Sequence, residues 1–252
     1  MDVRARVWDA YRTPRQYVGP EVPERGIAMF GSVVACDLGV TYPWGKQLCA
    51  GGAVPPAEDV AAAAAWLESR GPSTWRARVP QALVGEGPWA GLTAYDRIGV
   101  FAMPVQQVAG IEAVEIPGLR LSAEPTFDDV ITAYGGWMGD DELARQLVLP
   151  VEIDLDYRRF IVGYVDDRPI GCAFVWFIDG TAYLSGIGVI EELRGRGYGT
   201  ALTVAATLLA AEPPAGTGVD LLWMGATTAG APVYAKLGYE LIDTEVQLGP
   251  AV

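Results

Sequence analysis

Residues 194–199 read RGRGYG, two arginines and three glycines in six positions, with the apolar run GIGVI upstream and TALTVAATLLAA downstream. Glycine opens backbone angles closed to other residues and lets a ligand come close to the main chain. Successive N–H groups in such a bend form an anion-binding concavity. A helix starting near Gly199 would aim its unpaired N–H groups and positive dipole end at the same point. The guanidinium groups of Arg194 and Arg196 suit phosphate oxygens. An exposed basic turn is the plain alternative, but this density of glycine and arginine between strand and helix favours a phosphate cradle. The spacing is not the dinucleotide fingerprint G-x-G-x-x-G, and no G-x-x-x-x-G-K-[ST] occurs anywhere in the chain.

The rest of the composition narrows the chemistry. The chain has 252 residues and no histidine, which removes Ser-His-Asp and Cys-His constellations and the usual base near neutral pH. Proton transfer falls to carboxylate, tyrosine, cysteine, lysine or water. Three cysteines, Cys36, Cys49 and Cys172, are an odd number without C-x-x-C spacing. They argue against a disulfide framework or structural zinc and for a reducing, cytoplasmic setting. No metal site is expected. The opening MDVRARVWDAYRTPRQ has no apolar core of a secretion signal, and VAAAAAWL and VAATLLAA are too short to span a bilayer. Net charge is −13; residues 1–115 hold 12 acids and 10 bases, residues 116–252 hold 19 and 8. An anionic second half speaks against nucleic acid as a partner.

The elements that would position the loop are legible in that second half. GLRLSA reads as a strand, EPTFDDVITAYGGWM as a helix, and GDDELARQLVL as a second helix with Asp140 as N-cap. RFIVGYVDDRPIGCAFVWFIDGTAYLSGIGV gives three strands joined at Asp166-Asp167 and Asp179-Gly180. After the loop, Leu202, Ala205, Ala206 and Leu209 have helical spacing, and Pro213-Pro214 end that helix. VDLLWMGA is a buried strand, AGAPVYAKLG a short helix and YELIDTEVQL a last strand. The order β-α-α-β-β-β-α-β-α-β describes a mixed α/β sheet. In the first half only PAEDVAAAAAWLESRG (helix), TWRARVP and LTAYDRIGVFAMPV (strands) stand out. GLTAYDRIGVFAMP and GYELIDTEVQLGP both place aspartate, Asp96 and Asp243, five residues after glycine and ahead of an apolar strand. This reads as a faint internal repeat. Residues 100–118 are the expected connection, giving domains at 1–115 and 116–252.

Two stretches resemble the GNAT acyltransferases. GIGVIEELRGRGYGTAL is similar to that family's phosphate-loop motif, R/Q-x-x-G-x-G/A, at Arg194, Gly197 and Gly199. MGATTAGAPVYAKLGYE is similar to its later signature, an aromatic residue shortly before L-G-[FY]. The resemblance covers roughly residues 119–248 and implies a GNAT-like acyl-CoA N-acyltransferase fold, tandem if the first half is a degenerate copy. It implies acetyl-CoA or coenzyme A as cosubstrate, with the diphosphate on Arg194, Gly195, Arg196, Gly197, Tyr198, Gly199 and Thr200. The pantetheine arm would pair like a strand with Ile187 and Val189. Gly186 and Gly188 independently suggest a bulge or close approach, and two strands splayed there would leave a slot for the thioester. Tyr234 takes the general-acid position, protonating or hydrogen-bonding the departing thiolate. The family's asparagine before the last helix is replaced by ATTAGA, leaving Thr227 or Thr228 as substitutes.

The reading is an N-acetyltransferase for a small amine, attacking the thioester directly. A non-catalytic acyl-CoA-binding module and a GNAT-fold biosynthetic enzyme of other chemistry are the alternatives. The base is open: the period-two rule puts Tyr183 and Ser185 on one face with Ile187 and Val189, and Glu152, Asp154 and Asp156 lie in a nearby loop. Read plainly, Tyr183 packs, those three acids are solvated, Asp140–Glu142 cap a helix, and the tryptophans are core. Trp137 is the one to test. The first half completes the acceptor pocket or covers a sheet edge, and the protein is a monomer or homodimer.

Overall fold

The computed structural model describes residues 2–13, 25–40, 42, 45–71 and 74–251. They divide into two compact units: residues 1–100, 226–228 and 241–252 form the first, and 101–225 with 229–240 form the second.

The first unit holds α1 (Val3–Tyr11), β1 (Gly26–Phe30), β2 (Val33–Asp37), β3 (Lys46–Cys49), α2 (Ala57–Ser69), β4 (Arg76–Pro80) and most of β5 (Thr93–Pro104). The second holds β6 (Leu119–Ser122), α3 (Phe127–Met138), α4 (Asp141–Leu147), β7 (Arg158–Val165), β8 (Arg168–Ile178), β9 (Thr181–Val189), α5 (Tyr198–Ala210), β10 (Leu221–Ala226) and α6 (Ala231–Lys236). The last strand, β11 (Glu240–Gly249), returns to the first unit from Leu241 onward. The expected element order of the second half is found in full.

Both units use one strand plan. β1, β2 and β3 pair antiparallel, and α2 carries the chain to a parallel β4. Likewise β7, β8 and β9 pair antiparallel, and α5 carries it to a parallel β10. In the first unit Val60, Ala63 and Leu67 of α2 pack on Val33, Ala35, Leu48 and Ala77. In the second, Val130, Ile131 and Ala133 of α3 and Ala144 of α4 pack on Phe160, Val162, Cys172 and Phe174.

Local chemistry explains the connections. Asp166 and Asp167 both adopt positive φ, as do Asp179 and Gly180, which matches the twist of tight hairpins. Thr126 and Asp129 form a capping box on α3, Gly139 ends it in the left-handed region, and the Asp140 carboxylate caps α4 by accepting from Leu143 N at 2.9 Å. Trp8, Trp89 and Trp223 are fully buried; Trp44 lies outside the described residues.

The first half holds elements that the sequence did not announce, and one expectation about the second half is corrected. The opening segment forms a helix, α1, nucleated by Asp2 accepting from Arg4 N. β1–β3 were not expected; β2 and β3 are buried at every position, so no alternation marks them. Glu152, expected in solvent, is 2% exposed: it accepts from Leu149 N and pairs with the equally buried Arg158.

Candidate active site

Four strands of the second unit, β7 to β10, set the geometry. Cross-strand partners point to the same face, and register places three rows on the face covered by α3 and α4. The first row is Arg158, Trp176, Tyr183 and Trp223; the second Phe160, Phe174 and Ser185; the third Val162, Cys172 and Gly188. Between the second and third rows β9 gains a residue, the register shifting between Cys172 and Phe174. Gly186 has φ +59° there, with the Phe174 ring against its Cα. This is a β-bulge, and it moves the face by one residue. Gly188, not Ile187 or Val189, therefore continues the face of Tyr183 and Ser185. The period-two expectation fails at that point because an inserted residue exchanges the two faces. Val189 instead lies on the α5 side, close to Gly199.

Past the bulge β9 parts from β10. Their parallel pairing runs from Thr181↔Leu221 to Leu184↔Met224 and stops. Ser185 to Gly188 are partly exposed, while Leu184 and Val189 are buried. The expected pantetheine-pairing positions, Ile187 and Val189, thus flank an opening beside an unpaired strand edge.

The RGRGYG loop follows after a single 3-10 turn, Glu191–Leu193. Gly195 and Gly197 have φ of +76° and +86°, angles only glycine takes readily. Arg194 to Gly197 are exposed. Gly197 is the N-cap of α5 and no side chain caps that end. Ala201 N donates to Gly197 O at 3.0 Å, opening the helical ladder. The N–H groups of Tyr198, Gly199 and Thr200 precede the helical ladder and face outward with the positive end of the helix. The two arginines diverge. Arg194 turns inward, its Nε donating to Val189 O (3.0 Å) and an Nη to Trp137 O (3.4 Å). Arg196 stays exposed beside the open N–H groups. Tyr198 buries its ring. A diphosphate fits such a cradle: open donors, a helix end and a nearby cation, with no carboxylate in the first turn of α5.

Tyr234 sits on α6 with its ring 6.2 Å from Phe101 and 6.5 Å from Tyr239. Burial, reinforced by neighbouring Tyr183, pushes its hydroxyl up to about 12. Among the described residues that hydroxyl has no hydrogen-bond partner, whereas the Tyr239 hydroxyl is tied to Thr207 Oγ1 at 2.9 Å. Tyr183 stacks on Trp223 at 4.2 Å, as a packing residue would. Ser185 accepts from Trp176 Nε1 at 3.1 Å. Thr227 and Thr228 are exposed between β10 and α6. Asp154 and Asp156 are exposed ahead of β7.

Sequence reasoning did not foresee the Trp137 contact. Its indole lies directly on Gly188, so that a Cβ there would overlap the ring. The missing side chain at Gly188 was the available signal. Cysteine chemistry is excluded as well: all three thiols are buried and unpaired, and burial pushes each of them up, Cys49 to about 11 and the other two further. No thiolate is presented for an acyl-enzyme. Among the described residues no cluster of three His, Cys, Asp or Glu side chains is placed to hold a metal ion, and no helix is long and apolar enough to cross a membrane.

Comparison with known proteins bears on this geometry. Residues 156–241 match the family model described as an acetyltransferase (GNAT) domain. No curated protein matches. Among solved structures, a GCN5-related N-acetyltransferase from Kribbella flavida is similar over 100% of this chain and 97% of its own, with TM-score 0.72 and 20% identity. A tandem GNAT protein from the clavulanic acid biosynthesis pathway is similar over 93% of this chain and 84% of its own, with TM-score 0.60 and 17% identity. A GCN5-related N-acetyltransferase from Sphaerobacter thermophilus covers 88% and 78%, with TM-score 0.58 and 17% identity. Residues 156–241 thus match a GNAT acetyltransferase domain model, and the fold of the described residues is the one shared by these GNAT structures, a tandem GNAT protein among them.

Proposed function

We propose that the second unit binds an acyl-CoA, acetyl-CoA foremost, and transfers the acyl group to a small amine by direct attack on the thioester. The observation that supports this most is the conjunction of an uncapped, glycine-bent helix start with a strand that parts from its neighbour one bulge away. Diphosphate would rest on the N–H groups of Tyr198, Gly199 and Thr200 with Arg196 alongside. Arg194 holds the loop to β9 and α3. The pantetheine arm would lie along Ile187 to Val189 and bring the sulfur toward Tyr234.

The thioester arrives activated, so holding the amine against its carbonyl supplies much of the rate. The nitrogen bonds to the acyl carbon, the C–S bond breaks, and sulfur keeps the electron pair. The surplus proton on nitrogen leaves to water. Tyr234 donates a hydrogen bond to the departing sulfur and keeps its proton. A hydroxyl near 12 facing an ordinary thiol near 8.5 would transfer that proton uphill by roughly 5 kcal/mol. Tyr234 is thus the catalytic residue of this reading, and solvent delivers the proton to sulfur. The first unit, residues 1–115 in the sequence reading, serves as a cofactor-free copy: its β3–α2 link, Ala50–Pro56, has no basic residue and two prolines. The protein acts in the cytoplasm as a monomer or homodimer, without nucleic-acid or membrane partners.

Calorimetric titration with acetyl-CoA tests the reading. Saturable binding, weakened about tenfold or more by Arg196→Glu, is expected; no heat of binding for either protein overturns it. A second reading, acyl-CoA binding without transfer, draws on the lack of an unpaired carboxylate in the rows facing α3. Release of free thiol from acetyl-CoA on adding amines separates the two.

A further inference from the structure

We infer that Ile116, in the connector ahead of β6, is a binding residue for the coenzyme: its side chain walls the outer flank of the N–H cradle at the start of α5, where the diphosphate end would rest. The inference rests on the acyl-CoA reading above and deepens it. Residue 116 lies outside the segment that matches the family model, and neither motif read from the sequence includes it.

Two apolar side chains border the open N–H groups of Tyr198, Gly199 and Thr200. A Cβ at Gly199 would meet Val189 Cγ2 at 4.0 Å, and a Cβ at Gly197 would meet Ile116 Cδ1 at 3.2 Å. Val189 is buried and ends β9, beside the edge along which the pantetheine arm would run. Ile116 is half-buried and comes from the other side of the sheet. α5 packs across β9, β8, β7 and β6, and those strands pair in that order. The slot beyond β9 and the connector ahead of β6 therefore lie on opposite sides of the cradle. A coenzyme entering from the slot passes its diphosphate over the N–H groups and meets Ile116 next.

The wall has a fixed position. Residues Ile116 to Leu119 form a turn closed by Leu119 N donating to Ile116 O at 3.0 Å, with Gly118 at φ +81°. Pro117 in second place and a positive-φ glycine in third make this a type II turn, which fixes Ile116 relative to β6. That strand is itself held to the helix: Leu119 and Leu121 meet Leu202 of α5 around Gly163. Ile116 and the N–H groups thus belong to one packed body. An apolar wall beside such donors keeps water off them, and donors with less water about them hold an anion more strongly. The acids near these residues in sequence are Glu112 and Glu115 in the connector and Glu191 and Glu192 in the 3-10 turn, and all four are exposed to solvent.

The test is calorimetric titration of acetyl-CoA into the full chain carrying Ile116→Asp, Ile116→Lys or Val114→Asp, at low and at high salt. Val114 is exposed two positions earlier in the same connector. A carboxylate on the wall would face the diphosphate. Ile116→Asp is therefore expected to weaken binding about tenfold or more at low salt, with most of that loss relieved at high salt. Ile116→Lys puts the opposite charge there and is expected to bind as tightly as the unaltered protein or tighter; it also decides the matter should Ile116→Asp fail to fold. Val114→Asp is expected to stay within about twofold. Equal weakening by Ile116→Asp and Ile116→Lys, a loss that salt does not relieve, or the same loss in Val114→Asp overturns the inference, since packing or overall charge would then be the cause. Unchanged affinity in both Ile116 variants overturns it as well. If the unaltered protein binds no acetyl-CoA, the acyl-CoA reading itself falls, and the inference with it.

Discussion

Tyr234 and Tyr239 are both buried, five positions apart, and differ in what their hydroxyls touch. Tyr239 bonds Thr207 in the core; Tyr234 has no such partner among the described residues. Sequence shows two similar tyrosines; only burial and bonding separate them. A hydrogen bond to a charged group is worth about 1.5–3 kcal/mol, so Tyr234→Phe is expected to lower kcat roughly 10- to 150-fold with the dissociation constant of CoA unchanged. Steady-state kinetics beside calorimetry checks this, and equal loss in both would assign Tyr234 to packing. Because its hydroxyl is pushed up to about 12, it stays protonated where an ordinary tyrosine near 10 would ionise. Its ionisation therefore produces no alkaline fall in kcat below about pH 11. Arg158 and Glu152 give the contrasting case. Sequence alone marks Glu152 as a loop acid, because the partner that draws it inward lies six residues on, at the start of a strand. Removing one member of a buried pair typically costs about 3–5 kcal/mol, so Arg158→Met is expected to lower the unfolding free energy by that order in a denaturant titration.

Among the elements, β9 carries the most function and is the least regular. Its glycines announce a bulge, but not that the bulge lies before Gly188 and so exchanges the faces of everything after it. Sequence periodicity cannot locate an inserted residue; the register against β8 does. Gly188→Ala would drive a methyl group into the Trp137 ring. Overpacking of this kind costs about 1–3 kcal/mol, and adding Trp137→Leu should restore most of it in a double-mutant cycle. The hairpin turns and the caps of α3 and α4 were readable because their signals are local: paired Asp or Gly, and Thr or Asp three residues ahead of the bonded N–H. Strands β2 and β3 were not, because both their faces are covered and no alternation of apolar and polar residues marks them.

Across the whole molecule, the faint repeat in sequence has structural content. Gly91 and Gly238 both take positive φ, and the carboxylates of Asp96 and Asp243 each accept from the following N–H at 2.8 Å. Asp243 has taken on more, binding Arg4 at 2.6 Å and Trp8 Nε1 at 2.8 Å. Stability across pH is also a property of the whole. The buried thiols of Cys36, Cys49 and Cys172 and the hydroxyls of Tyr134, Tyr234 and Tyr239 all ionise later than usual. The folded chain then holds these protons more tightly than the unfolded one, so their contribution is complete below about pH 8 and declines as pH rises past the unfolded values near 8.5 and 10. Thermal midpoints are expected to be level from pH 7 to 8 and to fall between pH 9 and 11. Finally, β4 pairs with β11, whose residues from Leu241 on belong to the first unit. During translation, residues 81–239 must all be emitted before β4 can acquire β11 as its neighbour. A nascent chain stalled after Glu240 would leave β4 with a naked edge, a natural handle for chaperones and for aggregation.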